Sequence, residues 1–363
     1  MRKSFTVKIY DIDGTYRKTF NPNILMSEVA FSDKVGGGQG QCVLELNLPI
    51  DDFDEGLSVD HMNVVKIYES DDENNPNPVL LYTGFVSQYV PFFRSGQEGV
   101  RLTCLGLVSF LSLGYFRSSG SYEFTVSDDP GEVIKDIIDH FNTLYPGAWL
   151  SHTGGNVTTV GTTVTYDFNK TKWVDAVKKM ADFAEEDWWW RVAEDGQIHL
   201  KDRPATTTHV LTIGKDVDSG EIVKNNEKVI NRYRLTWGTA PPTTTIYEDT
   251  TSQAAYGVRE KLETDSDIGN QPTADQQGNK TIADNKDPKV EAKITVNTRY
   301  NIESIKPGHT VIIRNTKKGS TTLPADMLVT AIQYTPDGVT LTLENQIPSF
   351  ADTFIAAVEE AVG

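Results

Sequence analysis

Side chains able to do chemistry are present in this 363-residue chain, but they do not gather. The six histidines, His61, His140, His152, His199, His209 and His309, are scattered, without the spacing of a zinc site. Asp11-Ile12-Asp13-Gly14 opens like a calcium loop, yet its twelfth position is Pro22 rather than an acidic ligand, so a hairpin turn is expected. The run Gly36-Gly37-Gly38-Gln39-Gly40 is not followed by Gly-Lys-Ser/Thr and predicts a bulge or mobile loop, not a phosphate cradle. Cys42 is in phase with Leu44 and Leu46, and Cys104 with Val100 and Leu102, which predicts buried, unreactive thiols. No Gly-x-Ser-x-Gly elbow occurs.

Two clusters invite a functional reading and have a plainer one. Between Asp51 and Glu73 stand nine acids and one lysine, Lys66, the pattern of a solvated loop more than of a metal site. Trp188-Trp189-Trp190 offers aromatic faces for a sugar. In a strand, though, Trp188 and Trp190 share one face and Trp189 takes the other, so core packing explains at least two of them. No catalytic, cofactor-binding or metal-binding residue is therefore expected, and no enzyme activity.

The elements that would carry these residues change period along the chain. Phe5, Val7 and Ile9 alternate as in a strand, and Asp13-Gly14 supplies the turn of a hairpin. Strands follow at Cys42–Leu48, Val64–Tyr68, Val79–Pro91 and Val100–Leu105. After about Ser119 the spacing becomes helical: Asp128-Asp129-Pro130 starts a helix that runs to Leu144, and a second covers Lys172–Glu186. Trp188–Val192 and Ile198–Lys201 form a hairpin around Glu194-Asp195-Gly196. From Pro204 strands return, at Val229–Trp237, Val290–Val296, His309–Asn315, Met327–Thr335 and Val339–Asn345. The stretch Thr264–Pro288 is polar and reads as a loop or at best a frayed helix. Ser349 caps a short terminal helix whose stripe is Phe350, Phe354, Ile355 and Val358, candidate assembly contacts because so short a helix must pack on something.

Composition narrows the function. The 51 acidic residues against 34 basic ones leave a net charge of −17, which disfavours a DNA-binding role. No apolar run reaches the length of a membrane span, and Met1-Arg2-Lys3 is not followed by a signal-peptide core. Two cysteines exclude a disulfide framework.

Two distant segments repeat one pattern. Val65-Lys66-Ile67, Leu81-Tyr82-Thr83-Gly84-Phe85-Val86 and Val100-Arg101-Leu102-Thr103-Cys104 match Val311-Ile312-Ile313, Leu328-Val329-Thr330-Ala331-Ile332-Gln333 and Val339-Thr340-Leu341-Thr342-Leu343. Each set begins after a turn, which predicts a duplicated three-strand unit.

The same residues carry a family resemblance. The opening hairpin, Gly36–Gly40 before a strand, Val65–Tyr68, Leu81–Val86 and Val100–Gly106 resemble the first barrel of phage tail hub proteins. The helices at Pro130–Leu144 and Trp173–Ala184, the Trp188–Lys201 hairpin, Tyr256–Glu260 and Ile305–Val311 continue the resemblance over nearly the whole chain. It is similar to the central hub of contractile baseplates and to the amino-terminal module of siphophage tail-associated lysins.

The resemblance implies a mainly β fold in which two tube-like β-barrel domains flank a small α+β region, plus a short C-terminal helix. The expected divisions are 1–118 (first barrel), 119–203 (α+β), 204–346 (second barrel, with polar loop 264–288) and 347–363 (helix). It further implies a structural adaptor at the virion tail tip or baseplate, assembled in the host bacterial cytoplasm. The implied partners are two more copies in a trimer, a tail tube or distal tail ring above, and a fibre, spike or lysin protein below. DNA is only in transit through the channel, and no cofactor is implied. A hexameric distal tail protein and a carbohydrate-directed tail module are the alternatives. The chain stops at Gly363, which leaves no room for a needle, lysozyme or peptidase domain, so puncture or cell-wall cleavage is expected of a partner.

Overall fold

A computed structural model describes residues 4–345 except 22–24, 26–28, 48–61, 71–77, 95, 146, 148, 185–186, 240, 298–303, 316–326 and 336–337. The fold is mainly β.

The first sheet has six strands: β1 (Ser4–Tyr10), β2 (Tyr16–Phe20), β5 (Gln41–Leu46), β6 (Val64–Ser70), β7 (Val79–Arg94) and β8 (Gln97–Gly106). They lie in the order β2-β1-β6-β7-β8-β5, all neighbours antiparallel. The β1–β2 turn is the expected one: Gly14 has φ +89, its N–H donates to the Asp11 carbonyl at 3.0 Å, and the Asp13 carboxylate accepts from the Thr15 N–H at 2.9 Å. Cys42 and Cys104 face each other across β5–β8 as free, buried thiols. Burial pushes the Cys42 thiol up to about 12, so no thiolate is available there.

Between β2 and β5 the chain leaves this sheet. Strands β3 (Phe31–Lys34) and β4 (Gly37–Gly38) each pair elsewhere. The α+β region follows. Strand β9 (Glu123–Asp128) leads into α1 (Pro130–Leu144), whose first turn is capped by the Asp129 carboxylate accepting from the Gly131 N–H at 2.8 Å. Strand β10 (Val164–Asn169) pairs with β9, and α2 (Trp173–Asp182) packs on α1. Then β11 (Trp188–Val192) and β12 (Ile198–Asp202) form the expected hairpin. Trp190 enters the core beneath the helices, Trp188 packs beside it half-buried, and Trp189 is buried on the opposite side against Val35 and Leu328. Core packing thus accounts for all three.

The last part contains the closed barrel. Its strands are β13 (His209–Ile213), β14 (Val217–Asn225), β18 (Lys289–Val296), β19 (Thr310–Asn315), β20 (Met327–Thr335) and β21 (Gly338–Glu344). The order is β19-β13-β14-β18-β21-β20, and β20 pairs back onto β19 to close it. In the sheet of β1–β8 the outer strands β2 and β5 meet less fully: among the described residues Leu25, after β2, makes a single antiparallel bridge to Leu46 of β5.

The stretch Thr264–Pro288, expected as a polar loop or at best a frayed helix, holds a capped helix of fifteen residues. Between β14 and β18 lie β15 (Arg232–Trp237), β16 (Thr243–Glu248) and β17 (Glu260–Asp265), a separate three-stranded sheet, with α3 (Thr250–Tyr256) and α4 (Gln271–Asn285). Helix α4 falls inside 264–288. Asn270 caps it, Pro272 stands in its first turn, and its inner face is held by polar contacts instead of an apolar stripe. Gln277 donates to the Tyr233 hydroxyl at 3.1 Å and accepts from Lys179 at 2.9 Å, and Tyr247 donates to Asp275 at 2.9 Å. Val229–Trp237 accordingly supplies a strand of this small sheet, from Arg232 onward, and not of the barrel.

Candidate functional site

No cluster of catalytic type forms among the described residues, and the candidate site is the seam where the two large sheets meet. Strand β3 crosses from the first half of the chain and adds to β20 of the barrel, pairing Phe31 with Tyr334, Ser32 with Gln333, Asp33 with Ile332 and Lys34 with Ala331. Phe31 stacks on Tyr334 at 5.3 Å and leans on Tyr82 of the first sheet at 5.1 Å, so three rings join the sheets into one apolar core. Tyr334 donates to the buried Glu69 carboxylate at 2.6 Å. Glu69 is the one acid of the Asp51–Glu73 run within the described residues.

The glycine run is a strap, not a mobile loop. Strand β4 pairs in parallel with Arg191 and Val192 of β11, and Gly36 donates to the Trp190 carbonyl at 2.7 Å. Gly38 has φ +145, and a Cβ there would sit 2.5 Å from the Val192 carbonyl oxygen. Only glycine allows that approach. Next to it, buried Gln39 donates to the Leu81 carbonyl at 2.5 Å and accepts from the Thr83 N–H at 2.9 Å.

A charged chain runs through the seam. Buried Arg191 reaches Asp33 at 2.5 Å and Glu194 at 3.3 Å, and Lys306 reaches Glu194 at 2.8 Å. The guanidinium therefore ties β3 to the β11–β12 turn, and Lys306 links that turn to the entry to β19. Burial pushes the Asp33 carboxyl up, against the pull of Arg191. Burial also penalises Glu194, but Lys306 and then Arg191 hold it below the usual carboxylate value. Beside this chain the rings of His209 and His309 touch at 3.0 Å. Burial, then His209, Arg191 and Lys306, lowers His309 to about 4, and burial lowers His209 as well. Asp33 Oδ1, Arg191 Nε and Trp189 Nε1 are buried without a hydrogen-bond partner among the described residues. Such a seam specifies one arrangement of the sheets more than it stabilises it.

The duplication is visible in atomic detail. The chain order β1, β2, β5, β6, β7, β8 falls into the spatial order β2-β1-β6-β7-β8-β5, and β13, β14, β18, β19, β20, β21 fall into β14-β13-β19-β20-β21-β18. Against the strand that follows it, each middle strand carries one bulge, between Val86 and Gln88 in β7 and between Val329 and Ala331 in β20. At each bulge a hydroxyl donates to the neighbouring strand's carbonyl, Ser87 to Thr103 at 3.0 Å and Thr330 to Thr342 at 3.3 Å. Before β6, Met62 at φ +70 donates to the Val86 carbonyl, and before β19, Gly308 at φ +91 donates to the Val329 carbonyl, both at 2.9 Å. The outer strands correspond as expected from sequence. The middle strand does not: Val86 matches Val329, four residues away from the sequence alignment, because the bulge and not the side-chain pattern fixes its register. The leading strands also differ, β1 running antiparallel to β6 and β13 parallel to β19.

No family model matches the sequence, and no curated protein matches it. Solved structures do match. A 43 kDa tail protein of prophage MuSo2 from Shewanella oneidensis superposes with a TM-score of 0.65 over 94% of this chain and 97% of its own, at 13% identity. The tail protein from Neisseria meningitidis MC58 gives 0.61 over 94% and 95%, at 12% identity. Prophage tail protein gp18 from Listeria monocytogenes EGD-e gives 0.59 over 98% and 99%, at 9% identity. The chain has a phage tail-protein fold. The likeness in fold extends over nearly the whole chain, although hardly one residue in eight is the same.

Of the residues singled out from sequence, Phe350, Phe354, Ile355 and Val358 lie outside the described residues. Sequence reasoning missed Asp33, Gln39, Arg191, Glu194, Lys306 and the His209–His309 pair. Only the glycine run hinted at the crossing, since a strap forced against another backbone needs residues without side chains. Among the described residues no three His, Cys, Asp or Glu side chains converge as metal ligands, and no helix is long and apolar enough to cross a membrane.

Proposed function

We propose that this chain is a structural hub or adaptor of a bacteriophage tail tip or baseplate, working as a trimeric ring with six similar barrel units. The observation that carries this reading is the duplication, matched in strand order, bulge and the left-handed residue before the third strand. A three-fold ring meets a six-fold tail tube without mismatch only if each chain offers its contact surface twice. The likeness to tail proteins supports the setting, with a tail tube or distal tail ring on one side and a fibre, spike or lysin protein on the other. The terminal stripe Phe350, Phe354, Ile355 and Val358 would then contact a neighbour. A hexameric distal tail protein is the weaker reading, because such a ring needs only one barrel per chain.

The role needs no chemistry of its own. DNA would pass through the channel without being held, for which an excess of acids along the wall suits a chain of net charge −17. Sedimentation analysis and averaged electron micrographs of the purified chain test the reading. The expected result is a closed trimer with six lobes; a stable monomer or a six-chain ring would overturn it.

A further inference from the structure

The outer face of the first sheet carries a pair of cations that neither the seam nor the duplication uses. On neighbouring strands β1 and β6, Lys8 stands directly opposite Lys66. Like charges in that position repel across an antiparallel pair. Among the described residues neither ammonium has a carboxylate within ion-pair distance, although the chain carries 51 acids. Aromatic rings stand there instead. Lys8 Nζ lies 4.8 Å from the centre of the Tyr68 ring, and Lys66 Nζ lies 5.4 Å from those of both Tyr10 and Trp149. Burial pushes the Lys66 ammonium down, Asp195 opposes that and Lys8 adds to it, so the two cations act on each other. Both are half-buried.

A fixed aromatic surface borders the pair. Tyr16 of β2 stands opposite Tyr10 and is 55% exposed. Its hydroxyl shares a hydrogen bond with the Thr19 hydroxyl at 2.9 Å, and its ring meets Tyr10 edge-on at 5.8 Å. Thr19 is the cross-strand partner of Lys8, so ring, hydroxyls and ammoniums share one face. Trp149, behind Lys66, is held by its Nε1–H donating to the Ile12 carbonyl at 2.6 Å. An open ring whose orientation is already set loses little freedom when a ligand stacks on it. A sugar suits that platform, because its polarised C–H bonds can lie on the negative face of the ring. Two neighbouring ammoniums match the dianion of a phosphate monoester better than the single charge of a carboxylate.

We propose that Tyr16, Lys8 and Lys66 form a binding site for a phosphorylated sugar, with the phosphate bridging the two ammoniums and the sugar lying on the Tyr16 ring. The site is independent of the trimer reading above. Calorimetric titration of the full chain with glucose 6-phosphate tests it, with inorganic phosphate, glucuronate and glucose as comparison ligands. Circular dichroism verifies that each variant is folded. The expected result is binding of glucose 6-phosphate, weaker binding of phosphate and glucuronate, and none of glucose. Lys8→Gln and Lys66→Gln should each weaken the sugar phosphate about tenfold or more. Tyr16→Ala should bring it down to the level of inorganic phosphate. Lys8→Gln alone decides if Lys66→Gln fails to fold. No binding of glucose 6-phosphate, an unchanged affinity in folded Lys8→Gln, or an equal affinity for free phosphate or glucuronate would overturn the proposal.

Discussion

The two six-stranded units share strand order, bulge and entry turn, yet their middle strands meet different neighbours. In the barrel, Ala331–Tyr334 is flanked by β21 on one side and β3 on the other, and Tyr334 is buried between Phe31 and Glu69. In the first sheet, the matching strand ends in Pro91 and the exposed Phe93. Duplication fixed the frame, and the seam then made the copies unequal. One copy's edge became part of the chain's interior, while the other's faces outward.

Substitutions that treat the two copies differently would break this comparison. The largest effect is expected at the seam, which the first sheet has no second version of. Arg191→Met leaves Asp33 and Glu194 buried beside no guanidinium, and should cost about 3–5 kcal/mol in urea unfolding. A loss under about 1 kcal/mol would mean that the seam's ion chain contributes nothing.

Next comes the left-handed residue before the third strand. Gly308→Ala places a Cβ about 2.3 Å from the Trp189 ring and strains the backbone at φ +91, so a loss above about 2 kcal/mol is expected. Met62→Gly makes the reverse change at φ +70, where relief of roughly 1–2 kcal/mol of strain offsets lost side-chain packing, and stability should barely move. Equal effects at the two sites would end their treatment as counterparts.

The bulge hydroxyls should matter less. Ser87→Ala and Thr330→Val each remove a hydrogen bond worth about 0.5–1.5 kcal/mol. The Thr330 change should cost more, since that buried hydroxyl also touches Glu344 at 3.0 Å.

Acid is the mildest probe. His309 is lowered from 6.5 to about 4, so the unfolded chain takes up its proton first. Stability from this group is complete above pH 6.5 and falls as pH drops towards 4. His309→Gln should flatten that part of a melting-temperature profile, and an unchanged slope would assign the acid sensitivity to other groups.

Much of the frame was legible because it obeys local rules. The Asp-Gly turn, the Asp129-Pro130 helix start, the Trp188–Val192 hairpin and the outer strands of the duplicated unit are set by residues within a few positions of one another. Helix α4 was not, because Gln277, Gln276 and Asp275 hold it through hydrogen bonds that leave no apolar periodicity. Nor was β3: Phe-Ser-Asp-Lys is too short to announce its partner, and nothing near it in sequence says that Asp33 will meet Arg191. The seam is written in pairs that only the folded chain brings together.

The β3 crossing also dictates an order of events during synthesis. Glu69 waits for Tyr334, 265 positions later, and Phe31 waits for the same ring. The amino-terminal sheet leaves the ribosome with its arm unplaced and cannot complete its core until almost the whole chain has emerged. Pairings so distant are slow to find, since the loop must close before any contact rewards it. Newly made chains should therefore pass through a state in which the arm is loose and the barrel's edge is bare. In that interval an arm from one chain can reach another chain's barrel, so crowded synthesis favours exchanged arms and dilute synthesis favours self-contained protomers.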